Sequence, residues 1–250
     1  MKVPLPNRLT RVQQFQRSVP ILIKRNTIAS DSNISDENSP TYIASDPNSI
    51  PRFTGPSIDK MTNEQKQIYD EIIKTRTTGI SGPFKVWLSV PNIARPSQEL
   101  GKVVRYETSL SKRESELIIL LTAAKMKSNT EFHIHANEAL LAGVKNDIIL
   151  AIRKILVSSN NGSNLNNADP VFTSVYIKSN IIPLLDNNER EIEIVNFVSE
   201  MLENNKVSDE TYNNTKVFLG GKDEVLVEIT SIVGYYSYVA LILNIFQIPP

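Results

Sequence analysis

Apolar residues recur at helical spacing through most of the chain after residue 52, and no stretch shows the sustained two-residue alternation of a half-buried sheet. A capping-box pattern from Thr62 to Gln65 opens the first such stretch, in which Ile68, Ile72 and Ile73 form the apolar side. The pattern predicts an all-α fold.

Further helices follow from the same spacing. A second capping box at Ser111 and Glu114 opens a helix with an apolar side made of Leu117, Ile118, Leu120, Leu121 and Ala124. The next helix, over residues 131–141, ends near Gly143, because glycine readily adopts the left-handed conformation of a C-cap. We predict additional helices over residues 146–157, 192–202, 208–219 and 223–246.

The C-terminal stretch of residues 229–248 carries no charge and is long enough to span a bilayer. Thr230, Ser231, Ser237, Asn244 and three tyrosines interrupt it, and no basic cluster flanks it on one side. We therefore predict that it is a buried central helix and that the protein has no membrane contact.

Residues 1–51 do not have the pattern of a packed core. Every charge before Asp31 is positive, as in a mitochondrial transit peptide, although an ordinary disordered tail has the same composition. The compartment therefore stays open between the mitochondrial matrix and the cytoplasm. Residues 31–51 are rich in Ser, Asn, Asp and Pro and indicate a linker. Residues 52–250 form the predicted helical domain, with an Asn-rich insertion near residues 158–180.

The composition narrows the possible chemistry. Acidic and basic residues balance at 27 each, so nothing global indicates a nucleic-acid partner. The absence of cysteine excludes disulfides, thiolate metal ligands and cysteine nucleophiles. The two histidines, His133 and His135, lie in a single segment, and any imidazole chemistry is therefore expected there.

Glu131 and His135 are four residues apart on a predicted helix, which places both side chains on one face. A carboxylate in that position can hydrogen-bond one imidazole nitrogen, fix the tautomer and leave the other nitrogen for a substrate. We therefore predict a proton-transfer pair, with Glu131 as the orienting carboxylate.

Three simpler interpretations compete with this one. Ser128 and Glu131 have capping-box spacing, so Glu131 could serve only to start the helix. His135 could be a satisfied core or surface histidine. His133 and His135 would form a metal pair on a strand, but residues 136–142 strongly favour helix, where the two rings diverge. We predict no metal and no cofactor.

The segment that contains Glu131 and His135 resembles a known protein family. The run from Ser111 to Val144 resembles the carboxymuconolactone decarboxylase-like family in three elements: Glu116-Leu117, then Glu131-Phe132-His133-Ile134-His135, then Ala139-Leu140-Leu141-Ala142-Gly143. Outside this run, Gly82-Pro83-Phe84 with Trp87 and Pro91 is similar to the family's substrate-side segment. Gly234-Tyr235-Tyr236 is similar to its C-terminal portion.

The resemblance implies a helical bundle of the alkylhydroperoxidase/carboxymuconolactone decarboxylase-like type, assembled as a trimer or hexamer. It implies Glu116, Glu131 and His135 as proton-relay residues, with Phe84, Trp87, His133 and Tyr235 as substrate-pocket candidates. The peroxidase branch of that fold uses Cys-x-x-Cys, whose positions fall here on Ser128 and Glu131. Peroxidase activity is therefore disfavoured.

These inferences together predict a cofactor-free, lyase- or isomerase-like enzyme acting on a small carboxylated lactone or oxo-acid. His135 is the expected general acid/base, Glu131 orients it, and Glu116 is a proton relay or second carboxylate. Lys85, Arg95 and Arg105 are unranked candidates to pair with the substrate carboxylate. The alternative is a non-catalytic structural or binding oligomer on the same fold.

Overall fold

The computed structural model describes residues 50–75, 80–158 and 172–250. Within these ranges the fold is all-helical and contains no strand, which confirms the predicted all-α class. Two 3-10 helices cover Ile58–Lys60 and Ile182–Leu184. The α-helices are α1 (Asn63–Thr75), α2 (Phe84–Trp87), α3 (Pro91–Tyr106), α4 (Lys112–Lys125), α5 (Asn129–Leu141), α6 (Asn146–Ser158), α7 (Ser174–Asn180), α8 (Glu189–Asn204), α9 (Asp209–Phe218) and α10 (Asp223–Phe246). The predicted N-terminal extension up to residue 49 and residues 159–171 of the predicted insertion lie outside the described residues.

Helix α4 is the centre of the fold. Its start is the predicted capping box, in which Ser111 Oγ accepts a hydrogen bond from Glu114 N, and Glu114 Oε2 accepts one from Ser111 N. Every residue from Glu114 to Ala124 is buried, because α5, α6, α8 and α10 all pack against α4. The polar side chains of Glu114, Ser115, Glu116 and Thr122 in this stretch are therefore removed from water.

Helix α5 follows α4 after a three-residue turn over residues 126–128, so the two helices pack along each other as an antiparallel pair. The predicted end of α5 is confirmed. Gly143 has a φ of +84°, and the backbone N–H of Val144 reaches back to Ala139 O at 2.9 Å, as in a Schellman motif. This pair carries the predicted Glu/His residues.

The C-terminal helix, predicted as a buried central helix, packs against α3, α4, α5, α8 and α9 but is buried only in part. Helix α10 buries one face, which includes Ile229, Ile232 and Tyr236, whereas Val227 and Leu241 on the other face are exposed. By length and composition alone this helix is also apolar enough to cross a membrane, and 44% of its most apolar window is buried inside the protein. Apolar content identified the helix, but its place in the bundle depends on which neighbours cover it.

Helix α7 (Ser174–Asn180) lies inside the region predicted as an Asn-rich insertion near residues 158–180. The predicted end of the insertion near residue 180 is therefore wrong, because the chain is helical from Ser174. Thr173 caps this helix by accepting a hydrogen bond from Tyr176 N at 3.1 Å. Ile177 and Ile181 are completely buried and fix the segment to the core. With so few apolar residues, the helix has too weak a periodicity to be recognised in the sequence.

We expect Leu120→Ala in α4 to lower the free energy of unfolding by about 2–5 kcal/mol, because it leaves a cavity on a helix surrounded on all sides. The matched control is Leu141→Ala, whose side chain is 85% exposed and should change stability by less than about 0.5 kcal/mol. Urea denaturation of the two variants tests this. Equal effects would contradict the central position of α4.

Candidate active site

Helices α4 and α5 bring the three predicted relay residues into direct contact. His135 Nδ1 lies 2.6 Å from Glu116 Oε2, and His135 Nε2 lies 3.1 Å from Glu131 Oε1. Glu131 and His135 are one helical turn apart on α5, whereas Glu116 reaches the ring from α4. The imidazole is therefore held between two carboxylates, which we call the Glu–His–Glu triad.

The triad is almost completely buried. Side-chain exposure is 1% for Glu116, 2% for His135 and 5% for Glu131. The proposed role of Glu131 as a cap is not observed, because Ser128 makes no side-chain capping hydrogen bond and the Glu131 carboxylate bonds His135 instead. Removing three ionisable groups from water costs several kcal/mol per ion unless they neutralise one another.

The two carboxylates of the triad favour the protonated form of His135. Burial alone would lower the pKa of His135, but the charges and hydrogen bonds of Glu116 and Glu131 outweigh it and raise the pKa to about 9. Burial likewise opposes ionisation of Glu116, yet His135, Lys112 and Arg105 hold the pKa of its carboxyl below the ordinary value. The structure thus favours an imidazolium that donates one hydrogen bond to each carboxylate.

This arrangement corrects one expectation. A single carboxylate partner would leave the second ring nitrogen of His135 open for a substrate. In the structure Glu116 occupies that nitrogen, so no ring nitrogen is open. A proton that leaves His135 therefore passes first to a carboxylate, either Glu116 or Glu131.

A second set of charges covers the Glu116 end of the triad. Lys112 Nζ lies 3.3 Å from Glu116 Oε1 and 2.5 Å from Glu138 Oε2. Arg105 Nη2 lies 3.6 Å from the same Glu138 oxygen. The three carboxylates of Glu116, Glu131 and Glu138 thus meet three cations, namely His135, Lys112 and Arg105.

Aromatic side chains extend from His135 into the bundle. Tyr236 stands edge-on to the imidazole, with 5.0 Å between ring centroids and an interplanar angle of 85°. Tyr235, Trp87 and Phe84 continue the chain of ring contacts at centroid distances of 5.4, 6.3 and 5.7 Å. Burial raises the pKa of Tyr236 well above its ordinary value, so its phenol stays protonated.

Three of the four predicted pocket residues therefore lie together, and the fourth, His133, does not join them. Phe84, Trp87 and Tyr235 are buried and belong to the same ring chain. His133 is half-buried and lies two residues from His135, where a helix turns its side chain to a different side. Among the described residues no group of three or more His, Cys, Asp or Glu side chains could hold a metal ion.

A separate polar groove of about 470 Å³ lies between α7, α8 and α9. Its lining includes Lys178, Glu193, Glu200 and Glu203 and contains none of the predicted site residues. Ser174 and Ser208 already hydrogen-bond Glu203 and Glu200 there. The buried triad, and not this groove, is therefore the candidate for chemistry.

Comparison with known protein families, with curated proteins and with solved structures finds no match to this chain.

Sequence reasoning missed Lys112 and Glu138. Both were detectable in part, since Lys112 stands four residues before Glu116 and Glu138 three residues after His135, spacings at which helical side chains are neighbours. What the spacing does not show is that the two helices bring these side chains together.

We expect the triad to stabilise the protein fully near pH 6.5 and to lose that stabilisation as the pH rises through about 9, because the pKa of His135 is raised on folding. Below pH 4.5 the contribution of Glu116 falls as well, since its pKa is lowered. The reference is the charge-free triple variant Glu116→Gln, Glu131→Gln, His135→Gln. Urea unfolding across pH measures the stability difference, and a difference that grew from pH 6.5 to 9 would contradict the raised pKa.

Proposed function

We propose that this chain is a cofactor-free enzyme that transfers protons on a small carboxylated lactone or oxo-acid, as a lyase or isomerase of the carboxymuconolactone decarboxylase-like type. The observation that carries the proposal is the Glu–His–Glu triad, in which a buried histidine with a raised pKa is held between two carboxylates. Strongly perturbed titratable groups concentrate at functional sites, because catalysis needs acids and bases matched to the reaction.

The chemistry follows from the charge on His135. Loss of CO₂ from a carboxylated lactone breaks a carbon–carbon bond and leaves its electron pair as a dienolate, which takes up one proton on carbon. The imidazolium supplies this proton through one of its two carboxylate partners. Glu131 holds the ring orientation from the same helix, while Glu116, which also contacts the half-exposed Lys112, leads toward solvent for reprotonation.

A specific observation favours the alternative, a structural or binding oligomer. Val90, Ile93, Leu100 and Val103 are exposed apolar residues at or along α3, and Leu241 and Ile245 are exposed on α10. Ile93, Leu100 and Val103 recur at helical spacing and therefore share one face of α3, and exposed apolar faces are typical of association surfaces. A homo-oligomer of trimer or hexamer type would bury them with or without catalysis, so we propose such an assembly for both functions.

We expect small carboxylated lactones and oxo-acids to raise the melting temperature of the full-length protein. A ligand at a hundred times its dissociation constant adds about 2.7 kcal/mol, or roughly 5–10 °C for a domain of this size. The shift should disappear in His135→Ala if the ligand binds at the triad. No shift with any compound in a well-folded protein would favour the structural oligomer.

Once a substrate is found, we expect His135→Ala to lower kcat by about 10²–10⁴-fold, because positioned acid–base catalysis contributes that much. Glu131→Gln keeps the shape of the side chain and should lower kcat with little change in folding. Asn137→Ala, an exposed change on the same helix, is the matched control. An unchanged rate in both triad variants would end the assignment.

A further inference from the structure

The three basic residues considered as partners of a substrate carboxylate differ sharply in their surroundings. Lys85 is exposed. Arg95 is already engaged, since its Nη1 hydrogen-bonds both oxygens of Glu71 at 2.7 and 2.9 Å near the surface. Arg105 has a side chain only 15% exposed and lies beside Glu138 at the Glu116 end of the triad. Position alone therefore selects Arg105.

The guanidinium of Arg105 lies 5.6 Å from the centroid of the Tyr106 ring, a contact that uses the face of the group and not its N–H donors. Its Nε is buried with no hydrogen-bond partner among the described residues. Its Nη2 is 3.6 Å from Glu138 Oε2, which is too long for a hydrogen bond. Buried donors left without partners are costly and rare, and a buried guanidinium is the group best shaped to bind a carboxylate through two parallel hydrogen bonds.

Lys112 shares the carboxylate that Arg105 approaches. Its Nζ contacts the same Glu138 oxygen at 2.5 Å and lies 3.3 Å from Glu116 Oε1. Side-chain exposure is 42% for Lys112 and 28% for Glu138, so this end of the triad is the one that meets solvent. Two cations are thus held by a single carboxylate oxygen beside Glu116.

We propose that Arg105 and Lys112 form a binding site for the carboxylate of a small organic acid, and that the carboxylate of Glu138 occupies this site until the ligand displaces it. The inference rests on the proposed function for the identity of the reaction, but the binding site stands on its own contacts. It assigns the substrate to the Glu116 end of the triad.

Charge explains why Glu138 has to give way. The triad together with Lys112, Arg105 and Glu138 contains three cations and three carboxylates, so its net charge is zero. An added anion would leave an unbalanced negative charge beside buried Glu116. Displacement of Glu138 toward solvent restores the balance and frees Arg105 for two parallel hydrogen bonds. The ligand's remaining atoms then lie against Glu116, the carboxylate that accepts the hydrogen bond of His135 Nδ1.

The test uses the full-length protein with furan-2-carboxylate and its uncharged methyl ester as probes, and measures binding by calorimetry. We expect wild-type protein to bind the acid and not the ester. Arg105→Gln should weaken binding of the acid by about tenfold or more, as expected for the loss of charge-assisted hydrogen bonds. Arg105→Lys, which keeps the charge but not the fork of donors, should recover only part of the affinity.

Glu138→Gln should tighten binding of the acid, because it removes the competing charge and keeps the shape. A gain in affinity cannot arise from misfolding, so this variant keeps the test decisive if Arg105→Gln folds poorly. Arg95→Gln, on the same helix but paired with Glu71, is the matched control and should bind as wild type does.

Four outcomes would overturn the proposal: no binding of the acid to wild type, equal binding of the ester, unchanged binding of the acid in a folded Arg105→Gln variant, or weaker binding in Glu138→Gln. Its failure is separate from failure of the proposed function. If the Arg105 and Glu138 variants behave as expected while triad variants leave turnover unchanged, the binding site stands and the acid–base mechanism fails. If the triad variants lose turnover while Arg105→Gln binds normally, the reverse holds.

Discussion

The Glu–His–Glu triad, in which His135 is held between Glu116 and Glu131, is the interaction on which the rest of the structure depends. Three ionisable groups lie in a core from which water is excluded, and the two carboxylates are tolerated there because the imidazolium lies between them. The same contacts tie α4 to α5, since Glu116 and His135 belong to different helices. Loss of His135 would leave two buried carboxylates without the cation that they share, which typically costs about 3–5 kcal/mol.

The two ends of the triad have different neighbouring side chains. At the Glu116 end, Lys112, Arg105 and Glu138 connect the triad to solvent and supply charges that an anion can rearrange. Toward the core, the ring of Tyr236 packs edge-on against His135 and begins the aromatic chain. A buried, protonated histidine that is connected to solvent by charged residues at one end is consistent with acid–base chemistry on an anion. The same burial makes the triad a rigid structural element.

Short-range features of the fold could be predicted from the sequence because their causes lie within a few residues. The capping box of Ser111 and the C-cap at Gly143 are examples, and so is the pairing of Glu131 with His135 across one turn. Glu116 was identified only through family resemblance, since it lies 19 residues from His135 in sequence. The helix at the centre of the bundle, and the meeting of Arg105 with Glu138, depend on how helices pack, which apolar spacing does not determine.

The most direct test of the central claim is the protonation state of His135, observed by nitrogen NMR of the imidazole ring at about pH 8, between its ordinary and raised pKa values. The protein has two histidines, so a His135→Gln variant assigns the signals. If the triad holds a protonated imidazole, both ring nitrogens of His135 carry protons that exchange slowly with water. A neutral ring with one bare nitrogen at that pH would contradict it.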